Sequence, residues 1–169
     1  MKRDAWMYAF LLNNITIGAL STLISLYILY LGGGPYELGI AATALNLTSV
    51  PATVFWAKIT DYLAKRKIFI VLGLTSTFLV TILYAFSRSF IEIYLVSALQ
   101  GFLLNSAGPA TGMLLIETRP KKFWNSGIAK LQINNGLGMV LGLVIGAFVR
   151  EVCPFKETFI FFSVFALIS

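Results

Sequence analysis

The sequence predicts an all-α membrane protein: a transmembrane helix bundle of five full helices and a truncated sixth. Three observations predict it. The 169 residues are 58% hydrophobic and only 12% charged, too little polar surface to face water, since soluble domains carry about twice that charged share. Five apolar runs reach the length of about 20 residues that a helix needs to cross hydrocarbon. The cations collect in the short joints between those runs, where juxtamembrane anchors sit.

The first run covers Trp6–Leu31 and is too long, without a small-residue cleavage site, for a signal peptide. Gly32-Gly33-Gly34-Pro35 turns the chain into the second run, Glu37–Ala57. Residues 58–67 lead to the third, Ile68–Ser87, and Arg88-Ser89-Phe90 to the fourth, Ile91–Ile116. Glu117–Trp124 leads to the fifth, Asn125–Val149, and Arg150–Lys156, with Pro154, to the sixth. Joints this short are expected to make sequential helices antiparallel neighbours. The sixth begins near Glu157 and stops at Ser169. From Thr158 it covers about 18 Å at 1.5 Å per residue, against hydrocarbon about 30 Å thick. A terminal carboxylate inside the membrane is costly, so the chain reads as incomplete.

Charge sets the orientation. Lys2, Arg3, Lys58, Lys65, Arg66, Lys67, Arg119, Lys121 and Lys122 lie on one side, and Arg88, Arg150 and Lys156 on the other. The bias places the N-terminus and the joints after the second and fourth helices in the cytoplasm of a multi-pass plasma-membrane protein. The net charge of +6 therefore belongs to lipid anchoring, not to nucleic acid. Cys153 is the single cysteine, so no intramolecular disulfide forms, and there is no histidine. With no metal-ligand set and no nucleophile–base pair, the sequence reads as a non-enzyme without metal, cofactor or catalytic residues.

The joint Ala57-Lys58-Ile59-Thr60-Asp61-Tyr62-Leu63-Ala64-Lys65-Arg66-Lys67 resembles the signature loop of the major facilitator superfamily, where a small residue leads to an Asp and then a basic triplet. Two of the family's usual glycines stand here as Ala57 and Ala64. Gly138-x-x-x-Gly142-Leu143-x-x-Gly146-Ala147 on the fifth helix is similar to the motif that many exporters of the family carry, with Leu143 in place of proline. Ser97-x-x-Gln100-Gly101 is similar to the family's fourth-helix Arg-x-x-Gln-Gly, with serine in place of the proton-coupling arginine. That role is therefore carried to no residue of the fourth helix. The resemblance implies two six-helix bundles, each of two inverted three-helix repeats, with the substrate site between them. Residues 1–169 would be the N-terminal bundle, with the C-terminal bundle, or a second half-bundle, as the missing partner. It also implies that residues 58–67 are a cytoplasmic gating loop in which Asp61, Lys65, Arg66 and Lys67 hold a latch. The plainer alternative is a solvated loop with one stray carboxylate.

In that family the first and fourth helices line the central cavity. Here Asn14, Gly18, Ser21 and Ser25 share one face of the first, and Ser97, Gly101, Asn105, Gly108 and Gly112 one face of the fourth. Polar groups in lipid turn toward protein or water. Asn14, Ser21, Ser25, Gln100 and Asn105 are thus substrate-cavity candidates, with Asn13 as an alternative of uncertain helix phase. For the glycines, and for Gly138, Gly142 and Gly146, the competing reading is close helix packing. Tyr27 and Tyr30 read as interfacial anchors. Lys130 is the one clear intramembrane charge; it either snorkels to the interface or serves as a cavity cation. No carboxylate sits at a helix midpoint, so this half supplies no obvious proton-coupling group.

The expected function is transport of a small molecule by a secondary carrier through alternating access. Export of amphipathic compounds is one reading, and uptake of sugars or metabolites stays open. The alternative is a truncated, non-transporting half-bundle or accessory scaffold.

Overall fold

The computed structural model describes residues 6–63, 65–118 and 120–168. Lys2, Arg3, Arg119 and Ser169, and Ala64 of the signature loop, lie outside the described residues. The described chain is helical throughout: α1 (Trp6–Tyr30), α2 (Pro35–Leu63), α3 (Arg66–Phe86), α4 (Phe90–Leu104), α5 (Ala107–Thr118), a 3-10 turn (Lys121–Phe123), α6 (Trp124–Val152) and α7 (Phe155–Ile168). Among the described residues, five spans are long and apolar enough to cross a membrane: α1, α2, α3, α4 with α5, and α6 with the 3-10 turn before it. This is a multi-pass membrane protein. The 14 residues of α7 extend about 21 Å.

Local chemistry sets the helix ends. α2 starts at Pro35, where a missing N–H costs nothing, and the Glu37 carboxylate accepts from the Gly34 N–H at 2.6 Å, closing half a capping box. Ser89 caps α4 by accepting from the Glu92 N–H at 3.4 Å. At its other end α2 runs through Leu63, so most of the predicted joint is helix and the turn into α3 is very short.

The fourth span is not one straight helix, as the run Ile91–Ile116 predicted. It breaks at Asn105 and Ser106. Pro109 is the cause: it has no N–H for the carbonyl four residues back, at Asn105, and its ring crowds that carbonyl. The freed turn is closed by the side chains. Asn105 donates to the Gly101 carbonyl at 2.6 Å, and the Ser106 hydroxyl to Leu103 at 2.8 Å.

Sequential helices are not the main partners, which corrects the expectation from short joints. The principal pairs are α1 with α6, α2 with α4 and α3 with α7. Exchanging the first three spans for the last three swaps α1 with α4–α5, α2 with α6 and α3 with α7. That exchange maps the α1–α6 pair onto α4–α2 and the α3–α7 pair onto itself, as two inverted three-helix repeats require. Small residues set the α1–α6 and α2–α4 pairs, because between helices in lipid there is little hydrophobic drive and close backbone approach decides; α3 meets α7 through Tyr84 stacked on Phe159. A Cβ at Gly142 would lie 2.8 Å from the Ile15 carbonyl carbon, and one at Gly138 2.7 Å from the Leu11 carbonyl oxygen. Gly101 plays the same part on α4, pressed against the Leu45 carbonyl of α2.

α1 and α3 form the centre. One apolar cluster joins Leu20, Leu23, Tyr84, Ile93, Phe159 and Phe162; a second, toward the basic end, joins Phe10, Phe69, Ile70, Ala110 and Leu131. α2 and α6 are the least covered of the five spans, with Leu47, Val50, Val144 and Phe148 half or more exposed.

Candidate functional site

Arg66 organises the basic end. It begins α3, and its guanidinium reaches back to the end of α2, where it donates to the Thr60 carbonyl at 2.6 Å. That carbonyl is one of the last four of α2, which lack helical partners and carry the negative end of the helix dipole. Arg66 also donates twice to Glu117 Oε1 at the end of α5, at 2.9 and 3.2 Å, and meets Asp61 Oδ1 at 3.4 Å. One side chain thus ties α2, α3 and α5. Only 13% of the Arg66 side chain is exposed, whereas Asp61 is 57% exposed. Lys65 and Lys67 stand open on either side.

The cavity candidates separate into two groups. Ser21 and Ser25 of α1 and Ser97 of α4 line a cavity of about 140 Å³ closed by Ala41, Ala42 and Leu45 of α2. It has room for about four waters. Ser25 donates to the Ser21 carbonyl at 3.1 Å, while the Ser21 hydroxyl projects from an exposed position. Asn105 lies further along the α2–α4 seam, where Thr53 donates to its Oδ1 at 3.2 Å. Asn14 and Gly18, by contrast, face α6: Asn14 Nδ2 donates to Asn135 Oδ1 at 3.1 Å and to the Phe10 carbonyl at 2.7 Å, and Gly18 rests on the Met139 carbonyl. Asn13 is buried, and its Oδ1 meets no donor. The stripe that the helical period placed on one face is therefore divided between α6, which meets Asn14 and Gly18, and the cavity toward α2 and α4, which takes Ser21 and Ser25.

Gln100 lies inside the bundle, facing α3. The Tyr84 hydroxyl donates to Gln100 Oε1 at 2.8 Å and contacts Ser97 Oγ at 2.9 Å, and Ser97 donates to the Ile93 carbonyl at 2.8 Å. Two hydroxyl protons serve these three contacts, so Ser97 alternates between Ile93 and Tyr84 as acceptor. Tyr84 is the residue that sequence reasoning missed; it is one of five hydroxyl residues in the apolar run of α3, with Thr75, Ser76, Thr77 and Thr81, and nothing in the run singles it out. Glu117 was missed as the partner of Arg66. Tyr27 is no simple interfacial anchor: it donates to the Ser87 carbonyl at 2.6 Å and packs on Phe155 and Phe159. Tyr30 is largely exposed.

Lys130 is exposed on α6, and Gly138, Gly142 and Gly146 are buried against α1. Gly108 and Gly112 have open space around them. Tyr84→Phe removes the hydroxyl that, among the described residues, donates to Gln100, and leaves a buried amide oxygen without that donor. Interhelical bonds in membranes contribute about 0.6 kcal/mol on average and an orphaned polar group costs about 1–3. The variant should therefore lose about 1 kcal/mol, read as a shift of about 3 °C in thermal unfolding in detergent. Ser97→Ala should shift it less, because Tyr84 keeps Gln100.

A family model described as Major Facilitator Superfamily matches residues 6–169. The chain is 24% identical over 160 residues to a multi-drug resistance efflux pump PmrA homolog of Lactococcus lactis subsp. lactis (strain IL1403), covering 92% of this chain and 39% of that protein. It is 26% identical over 100 residues to a protein of the same description from Lactococcus lactis subsp. cremoris, covering 59% of this chain and 84% of that sequence. The chain spans about two fifths of the length of the first, by the 39% coverage.

Proposed function

Because this chain belongs to the major facilitator superfamily, we propose that it forms the N-terminal half of a secondary carrier that exports small amphipathic compounds by alternating access. The single observation that carries the proposal is the cleft where α1, α2 and α4 meet: three hydroxyls, Ser21, Ser25 and Ser97, in an otherwise apolar wall. Such a wall, as one side of a larger chamber that a second bundle would complete, suits an amphipathic ligand with one or two hydrogen-bonding groups, and it holds no fixed charge to demand an ion. The naming of both relatives as multi-drug efflux pumps supports export over uptake. The uncovered faces of α2 and α6 supply the surface on which a second bundle would rock.

In this proposal residues 58–67 are the gating loop, and the basic end, with the N-terminus, faces the cytoplasm of the plasma membrane. Lys130 stands on the uncovered side of α6, near enough to that end for its stem to reach the interface. Asn105 extends the polar lining along α4, whereas Asn14 and Gln100 hold helices together.

The test is export of a neutral amphipathic fluorescent dye from energised cells that express the carrier containing this bundle. Ser25→Trp fills the cavity and should reduce the export rate at least tenfold while the protein still reaches the membrane. A dye flux unchanged by Ser25→Trp would remove this cleft from the substrate path.

A further inference from the structure

We propose that the cleft between the start of α3 and the end of α5 binds the phosphate headgroup of an anionic phospholipid. The inference needs only the membrane setting and stands whatever the carrier moves. The cleft holds about 390 Å³ and is lined by Lys65, Arg66, Lys67 and Ile68 on one side and Leu114 and Glu117 on the other. Its charge is unbalanced. Glu117 is the one carboxylate in the lining, and it is engaged by Arg66 at 2.9 Å. Arg66 in turn is engaged by Glu117, Asp61 and the Thr60 carbonyl, which take four of its five N–H donors. Lys65 and Lys67 are left as exposed cations on the rim. No side chain caps the first turn of α3, so its positive end adds to their potential.

The rest of the lining says which anion. A soluble phosphate would have no use for apolar walls, yet Ile68 and Leu114 form one. From Ile68 an exposed stripe continues down α3 through Val71, Thr75 and Leu79, at helical spacings of three and four that keep one face. α3 enters the membrane at once, spanning Arg66–Phe86. The cleft therefore sits at the membrane boundary with cations above and an apolar track below. That is the outline of a phospholipid with its phosphate at Lys65 and Lys67 and an acyl chain along α3.

Native mass spectrometry of the full chain in neutral detergent tests this with phosphatidylglycerol and phosphatidylcholine of matched acyl chains. The protein should retain phosphatidylglycerol in preference. Basic residues at a membrane surface contribute about fivefold each, so Lys65→Gln with Lys67→Gln should lower that preference about thirtyfold. Lys121→Gln with Lys122→Gln, on the other basic joint and outside the lining of the cleft, should lower it clearly less. Inorganic phosphate should not displace the lipid. Equal loss from the two pairs would replace the cleft by diffuse surface charge. Displacement by inorganic phosphate would make it a soluble-anion site, and absence of any lipid preference in the parent chain would end the proposal. Both lysine pairs are exposed, and an unchanged unfolding midpoint of each variant in lipid-free detergent verifies that the fold persists.

Discussion

Gly142→Ala lowers the thermal unfolding midpoint in detergent by about 6–12 °C, at about 2–4 °C per kcal/mol, while Gly136→Ala on the same helix leaves it unchanged or raises it. The two positions carry the same chemistry and differ only in what stands opposite. A Cβ at Gly142 would overlap the Ile15 carbonyl oxygen and lie 2.9 Å from the Ala19 backbone nitrogen. Backbone atoms have no rotamer to yield, so α1 and α6 must separate. Separation also loosens Gly138 on Leu11 and Gly146 on Ala19, whose Cα is 2.9 Å from a Cβ built there. Overpacking costs about 1–3 kcal/mol, and obstruction by main chain belongs at the upper end. At Gly136 nothing lies within 4 Å, and alanine gains up to about 1 kcal/mol of helix propensity. Circular dichroism melting of both variants checks this. Equal shifts would mean that the α1–α6 seam does not hold the bundle. The consequence reaches the cleft, because α1 carries Gly18 on its α6 side and Ser21 and Ser25 at the cleft. A shift of α1 away from α6 moves the hydroxyls with it.

The spans themselves were legible, because a run of apolar residues long enough to cross lipid has few other uses. The break at Asn105 was legible in principle: Pro109 names the carbonyl that loses its partner, but an unbroken apolar run hid it. Helix pairing was not legible from joint length. In a soluble bundle short joints hold neighbours together because exposed apolar faces must be covered at once. In lipid those faces are already solvated, so the glycines of α6 and Gly101 of α4 choose partners by where backbones can touch. Joint length says nothing of that, and the glycine stripes say which faces touch but not whose. Long-range polar contacts were the least legible. Nothing local joins Arg66 to Glu117, 51 positions apart, or Tyr84 to Gln100 across the turn between α3 and α4. For Asn14 and Ser21, the helical period gave one face, but two different neighbours divide it.

Asp61→Asn should leave the unfolding midpoint of the bundle within about 2 °C of the parent, the scale of an exposed pair, and lower export by the whole carrier at least tenfold. The two halves of that prediction come from different facts. Within the bundle Asp61 is a weak partner: its oxygen is 3.4 Å from Arg66, and the side chain is more than half exposed. Exposed pairs of this kind contribute little to stability. Arg66 does not depend on it, since Thr60 and Glu117 offer shorter contacts at 2.6 and 2.9 Å. Glu117→Gln should therefore loosen the basic end more than Asp61→Asn does, seen as faster hydrogen exchange at the start of α3 and the end of α5. Arg66→Lys should loosen it too, because a single ammonium cannot address three acceptors in a plane as the guanidinium does. Under the proposed gating role, Asp61 has its main partner on the second bundle, where a carboxylate meeting a cation or a helix N-terminus would close the cytoplasmic side. Asparagine keeps the shape and removes the charge, so it would spare the bundle and weaken the closed state. If Asp61→Asn melts the bundle and slows export in proportion, the carboxylate serves the fold and the latch must lie elsewhere. If export is unaffected, the loop is a solvated joint, and alternation is controlled by groups outside residues 58–67.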